Sequence, residues 1–254
     1  MVCTSGPQDD PFEEQHTDYV IAVVLAGSFQ YRSEYGQALM TPGSLMLGNP
    51  GQSFECGHEH AEGDRCVSFW YAGEYFERLV SDAGHRGQRR FAIPRIPPLR
   101  VLAPAVAAAG ANVMDPGNAP WNEIGIELAT LAVSLAPGVS APYRAPVNAE
   151  GRVTRIVRSI DRCPEAPFTI DVMARNAGVS PYHFLRTFER LTGVTPHQYI
   201  LRARLREAAL RLRSRRDTIL EIALQCGFGD VSNFNRAFRA EFELSPRAYR
   251  MRQR

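Results

Sequence analysis

Two short segments of this chain carry side chains suited to reading a polyanion. The first holds Tyr182, His183, Arg186 and Arg190; the second holds Ser232, Asn233, Asn235, Arg236 and Arg239. A guanidinium can donate two hydrogen bonds to a guanine edge, and a carboxamide can pair twice with an adenine. Further arginines neutralise phosphates and release their counterions. A third group, Cys56, His58, His60 and Cys66, falls within eleven residues, beside Glu55, Glu59, Glu62 and Asp64. Thiolate and imidazole in that number could hold Zn²⁺ or a softer transition metal, or form a thiol redox switch. If the stretch is extended, Cys56, His58 and His60 share one face, with Cys66 across a turn. The alternative is a pocket for an organic effector that these residues only line or flank. Cys226 lies in an apolar helical pattern and reads as core.

The two base-reading segments are copies of one design. Ala174-x-x-x-Gly178 recurs as Ala223-x-x-x-Gly227, Phe184-x-Arg186-x-Phe188 as Phe234-x-Arg236-x-Phe238, and Thr195-Pro196 as Ser245-Pro246. The offset grows from 49 to 50 across the turn, so the second turn carries one extra residue. In each copy a small residue lets two helices approach, and a glycine permits the sharp turn between them. At about 100° per residue, Phe184, Phe188 and Leu191 fall opposite Tyr182, His183, Arg186 and Arg190. Phe234, Ala237, Phe238 and Phe242 fall opposite Ser232, Asn235, Arg236 and Arg239, with Asn233 at the margin. Ser180-Pro181, Thr195-Pro196 and Ser245-Pro246 each place a capping hydroxyl before a proline at the first helical position. Thr218 and Glu221 form a capping box. A joining helix over about 197–213 buries Leu201, Leu205, Ala208 and Leu212. Its length of ~25 Å would hold two recognition helices near the ~34 Å spacing of successive major grooves.

Charge divides the chain in the same place as the repeat. Residues 150–254 hold twenty Arg against eleven Asp and Glu, a net +9; residues 1–149 hold nine against sixteen, a net −7. All 29 basic residues are Arg, a usage that a GC-rich coding sequence explains more simply than phosphate recognition does. The sign changes at residues 136–150, a stretch with Pro137, Gly138, Pro142 and Pro146, which reads as a linker. Before it, residues 19–71 read as short strands punctuated by Gly and Pro, with runs at 19–27, 38–40, 44–47 and 65–71, as in a small barrel or sandwich. Helical patterns follow at 74–81 and 101–113. A stronger one at 121–135 carries an apolar stripe of Ile124, Leu128, Leu131 and Leu135, for core packing or a dimer contact. No segment is apolar for the ~18 residues that a bilayer needs. The acidic N-terminus is unlike a signal peptide, and the five scattered Cys do not suggest a disulfide framework. The expected setting is the reducing cytoplasm.

The segment Ala174-Arg175-Asn176-Ala177-Gly178-Val179-Ser180-Pro181-Tyr182-His183-Phe184 resembles the first helix-turn-helix of the AraC/XylS family of transcriptional regulators. Thr192-Gly193-Val194-Thr195-Pro196-His197-Gln198-Tyr199 resembles its entry to the linking helix. Ile222–Phe228, Asn233–Arg239 and Ser245–Arg250 are similar to its signature region, so the likeness covers about residues 152–252. It implies base contacts from Tyr182, His183, Leu185 and Arg186, and from Val231, Ser232, Asn233, Asn235 and Arg236. Leu185 and Val231 depart from the polar residues often found there, and can touch only a thymine methyl.

The resemblance also implies an N-terminal cupin-like β-barrel that senses a small effector or mediates homodimerisation, and Pro42-Gly43-Ser44-Leu45-Met46-Leu47-Gly48-Asn49-Pro50-Gly51 looks like a strand-turn of one. Where metal-binding cupins often place a His after that turn, this chain has Phe54. The expected architecture is a two-domain α+β chain: a sensing domain over 1–140, a linker over 141–151, and an all-α domain over 152–254 with two helix-turn-helix units joined by a long helix. The expected function is a regulator, an activator if it follows its relatives, that binds double-stranded DNA and RNA polymerase under a small-molecule, metal or redox signal. It would be neither an enzyme nor a membrane protein. The alternative is a metal-dependent cupin enzyme with a DNA-binding domain. A methyl-transfer sensor using Cys56 or Cys66 is a third reading. No complete His/His/carboxylate/His set or Pro-Cys acceptor motif supports either of these two.

Overall fold

The structure is a computed structural model that describes residues 2–3, 12–57, 63–85, 90–114, 116–140, 143, 145, 148–213 and 217–252. Among the described residues the N-terminal half holds nine strands: β1 (Val2–Cys3), β2 (Phe12–Gln15), β3 (Tyr19–Gly27), β4 (Phe29–Ser33), β5 (Gly36–Met40), β6 (Leu45–Gly48), β7 (Ser53–Gly57), β8 (Asp64–Tyr71) and β9 (Arg95–Ile96). They form two antiparallel sheets, ordered β1-β8-β3-β6-β9 and β2-β7-β4-β5. Side chains alternate along a strand, so β3 serves two cores. Val20, Ala22 and Val24 join Tyr31, Met40, Phe54, Cys56 and Cys66 in the interior between the sheets. Tyr19, Ile21 and Val23 face α1 (Gly73–Asp82), α2 (Ala103–Met114) and α3 (Trp121–Leu135). Burial on both faces is why residues 19–24 are apolar without a break. It also bears on the expected barrel: among the described strands no ladder joins the two sheets, and the five-stranded sheet is covered by helices instead of closing on itself.

The helix at 121–135 falls where its pattern predicts, and its stripe is core: Ile124 and Leu128 are buried and Leu131 and Leu135 pack against them. Gly125 allows the contact, because a Cβ there would lie 3.0 Å from the Phe69 ring, and Tyr71 donates a hydrogen bond to its carbonyl at 2.7 Å.

The remainder is helical: α4 (Ala149–Arg162), α5 (Ile170–Ala177), α6 (Pro181–Thr192), α7 (Pro196–Arg213), α8 (Ile219–Gln225), α9 (Val231–Phe242) and α10 (Pro246–Arg252). α4, α5 and α6 enclose one core, with Tyr199, Ile200 and Ala203 of α7 completing it. α8 and α9 enclose another around Leu205, Ala208, Ala209 and Leu212 of α7. The expected stripe of α7 is therefore partial. Leu201 is only half-buried, and the helix is covered on more sides than one. Part of the cover comes from the β-rich half. Leu39 enters the first helical core, while Ala103 and Ala107 of α2 pack against the second. Arg95 donates to the carbonyls of Leu39 and Leu191 at 2.5 and 2.6 Å, and Arg202 to that of Pro98 at 2.7 Å. Among the described residues no helix is long and apolar enough to cross a membrane.

Candidate nucleic-acid interface

The two helix-turn-helix units are built by the same hydrogen bonds. α5 stops at Gly178 (φ +66°), and Val179 N–H returns to the Ala174 carbonyl at 3.1 Å. α8 stops before Gly227 (φ +81°), and Phe228 N–H returns to the Ala223 carbonyl at 3.0 Å. Both close the helix end in the same six-residue loop. Ser180 then caps α6, accepting from His183 N–H at 3.3 Å; Asp230 caps α9, accepting from Asn233 N–H at 2.7 Å. The extra residue of the second turn separates Gly227 from its cap by two positions, against one in the first unit. Thr218 and Glu221 form the expected capping box. Thr195 and Ser245 also cap as expected, accepting from Gln198 and Ala248 N–H at 3.3 and 3.2 Å.

These caps fix which way each recognition helix faces. Phe184, Phe188 and Leu191 are buried on α6, as are Phe234, Phe238 and Phe242 on α9. On the other side Tyr182, His183, Leu185, Arg186 and Arg190 are exposed, as are Ser232, Asn233, Asn235, Arg236 and Arg239; Val231 is half-buried. Arg186 reaches the Tyr182 hydroxyl and Arg236 the Asn233 side chain only at 3.4 Å, and among the described residues neither has a carboxylate partner. These guanidinium groups can be redirected to an incoming ligand at small cost. Arg190 lies over the ring of Tyr143, 4.8 Å from its centroid, so a residue of the expected linker positions it.

The structure divides the basic excess of the C-terminal half into two kinds. Arg204 donates to the carbonyls of Pro164, Gly227 and Ala166 at 2.8, 2.8 and 3.1 Å, tying the first unit's approach to the second unit's turn. Arg202 pairs with the buried Glu241, Arg206 with Asp161, and Arg211 with Glu207. These are packing arginines. Their spacing along α7 alone does not distinguish them from phosphate contacts. Arg247, Leu220 and Val231, with Asn235 and Arg236, border a groove of about 730 Å³ on the outer side of the second unit. Arg247 was not among the residues expected there; it follows the capping Ser245-Pro246 pair, which is the signal that could have found it.

Of the candidate metal or redox group, Cys56 and Cys66 lie on opposite sheets in the interior between them, both buried. The Cys66 thiol is 3.1 Å from Asp64 Oδ2, and burial and that carboxylate hold its pKa well above the ordinary thiol range. His58 and His60 lie outside the described residues. Among the described residues no group of three or more His, Cys, Asp or Glu is arranged to hold a metal ion. Phe54 stacks on buried His16 with centroids 4.1 Å apart and belongs to the apolar interior between the sheets.

Comparison with known proteins gives two family matches. A helix-turn-helix domain model matches residues 173–252, and a model of AraC-like ligand binding domains matches residues 4–105. The regulatory protein SoxS of Salmonella typhimurium is 35% identical over 100 residues, covering 39% of this chain and 94% of SoxS. The HTH-type transcriptional regulator MtrA of Neisseria gonorrhoeae is 32% identical over 99 residues, covering 39% of this chain but only 33% of MtrA. Among solved structures, a transcriptional regulator of Chromobacterium violaceum with an AraC-type DNA-binding domain is 29% identical, covering 42% of this chain and 96% of that one, with a TM-score of 0.39.

Proposed function

The chain belongs to the AraC/XylS family of DNA-binding transcription regulators and carries that family's ligand-binding domain, and from this premise we propose that it reads operator DNA with α6 and α9 under the control of a small organic effector. The observation that carries the reading is the pair of equivalent outer faces, each capped the same way and each presenting arginine opposite a buried aromatic row. Tyr182, His183, Leu185 and Arg186 would meet base edges in one major groove. Val231, Ser232, Asn233, Asn235 and Arg236 would meet those in the next. Arg190 and Arg239 would neutralise phosphate. The α7 helix has 18 residues, or ~27 Å at 1.5 Å per residue, close to one duplex turn.

The sensing domain would span 1–140, the linker 141–151 and the DNA-binding domain 152–254. The proposed output is activation through contact with RNA polymerase, by a non-enzymatic chain in the cytoplasm that pairs through its N-terminal domain. Among the signals, an organic effector is favoured over a metal or a redox change. Cys56 and Cys66 are both buried, and burial beside Asp64 keeps the Cys66 thiol protonated, which makes it a poor ligand and a poor nucleophile.

The test begins with selection of an operator from random duplexes, then fluorescence anisotropy on that operator and on scrambled DNA. Arg186→Ala and Arg236→Ala should each weaken operator binding about 5- to 150-fold and relax base preference at their own positions. Arg190→Ala should weaken binding to both DNAs alike and flatten the salt dependence by about one unit of slope. Unchanged operator affinity in both Arg186→Ala and Arg236→Ala would remove the role assigned to these faces.

A further inference from the structure

The repeat that builds the two helix-turn-helix units is broken at one basic residue. Phe188 corresponds to Phe238 and Thr195 to Ser245, so Arg190 corresponds to Ala240. An arginine that the second unit lacks at this place therefore stands in the last turn of α6. It follows Arg186 by four residues, so the two share one face of the helix, and both are exposed. With the N-terminal part of a recognition helix at the base edges, the next turn along that face reaches toward the phosphates that border the groove.

This arginine is also the one that the segment joining the two halves touches. Tyr143 lies between α3 and α4, is half-buried, and packs against the first helical core. Packing holds its ring in place, and the guanidinium carbon of Arg190 lies over that ring, 4.8 Å from the centroid. That is within the ~6 Å over which a cation and a ring attract. Among the described residues no hydrogen bond or ion pair engages Arg190, so its N–H groups are open to a ligand. A free arginine loses rotamer freedom when it closes on a phosphate. One already held over a ring has lost much of that freedom before DNA arrives, so more of the contact appears as affinity. A phosphate carries no base identity, so the gain is the same on every duplex.

We propose that Tyr143 is a positioning residue for DNA binding, a platform that holds Arg190 ready for a backbone phosphate. The proposal rests on the phosphate role given to Arg190 above and adds what sets the strength of that contact. Because the ring sits on the segment between the two halves, drawing that segment off the first helical core lowers affinity for all DNA and leaves base preference as it is.

The experiment uses the full chain, with anisotropy on the selected operator and on scrambled DNA across a salt series. Tyr143→Leu keeps an apolar side chain against the core but removes the ring. It should weaken binding to both DNAs alike, about 2- to 5-fold, with the base preference and salt slope of wild type, since Arg190 still reaches its phosphate. Tyr143→Phe keeps the ring and should bind as wild type does. In the Arg190→Ala background Tyr143→Leu should have no further effect; a merely structural role would carry its loss into that background in full. The proposal is overturned if Tyr143→Leu binds both DNAs like wild type, if Tyr143→Phe is as weak as Tyr143→Leu, or if the loss persists in Arg190→Ala. Should Arg190→Ala by itself leave both affinities unchanged, the phosphate role fails and the positioning role falls with it. A loss in Arg190→Ala without one in Tyr143→Leu strikes the positioning role alone.

Discussion

Gly193 ends α6 in the left-handed region (φ +79°), and its open side faces the β-rich half: a Cβ there would lie 2.4 Å from Pro97 Cβ and 2.8 Å from Pro97 Cγ. Gly193→Ala therefore carries two separable costs. The left-handed backbone costs an alanine ~1–2 kcal/mol wherever the helical half is folded. The overlap with Pro97 is a second cost. Ordinary contact needs about 1 Å more room, and a proline ring beside the Arg95 hydrogen bonds to Leu39 and Leu191 has little freedom to retreat. Overpacking of this kind costs ~1–3 kcal/mol. In the full chain the substitution should cost ~2–5 kcal/mol, and in a fragment of residues 148–254 only the first part. The fragment keeps α4 to α10, which supply nearly all of both helical cores. Urea unfolding of both forms, with and without the substitution, measures the difference. Equal losses in the full chain and the fragment would refute the idea that Pro97 holds the first helix-turn-helix unit in place.

Burial lowers the His16 pKa from 6.5 to about 4, so the folded state holds a neutral imidazole, hydrogen-bonded at 2.9 Å to the Tyr31 hydroxyl. A depressed folded pKa contributes stability that is present above pH 6.5 and lost as pH falls from 6.5 through 4, up to about 3 kcal/mol; denaturant midpoints across that range should show the loss in wild type and not in His16→Phe. Thr218→Ala removes the acceptor for Glu221 N–H and should cost ~1 kcal/mol in the same assay. Arg204→Met deprives three carbonyls of one guanidinium and should cost ~2–4 kcal/mol. It should also weaken binding to a full operator more than to a half-site, because it loosens one unit from the other.

The helical half was legible because its signals are local. A glycine at a left-handed turn, a hydroxyl before proline and an aromatic at every fourth position each act over one or two turns of chain, and the structure places them as the spacing predicts. Asp230 was missed as the cap of α9 because the extra residue of the second turn moves it out of register with Ser180. In the β-rich half, the run at 19–27 was legible because burial on both faces leaves no polar interruption. β2 and β9 fall outside the expected strand region, since each is short and its strand character comes from a partner distant in sequence, Ser53–Gly57 for one and Leu45–Met46 for the other. The open pair of sheets depends on how helices far along the chain cover one of them, which no local pattern encodes.

Charge was the least transparent signal. A net excess of +9 over residues 150–254 suggests one basic surface, yet the arginines of α7 are largely spent on carbonyls and carboxylates inside the fold. The reason lies in what α7 must do. Tyr199 and Ile200 belong to the first helical core, Ala208 and Leu212 to the second, and Arg202 reaches back to the Pro98 carbonyl in the β-rich half. A helix that touches three bodies has few exposed positions left for DNA. Its long side chains act as struts whose charged ends satisfy otherwise unpaired carbonyls while their stems fill the gaps. Any change that moves α2 against α7 must therefore pull on both units together, and the two reading faces cannot be reoriented one at a time from this side.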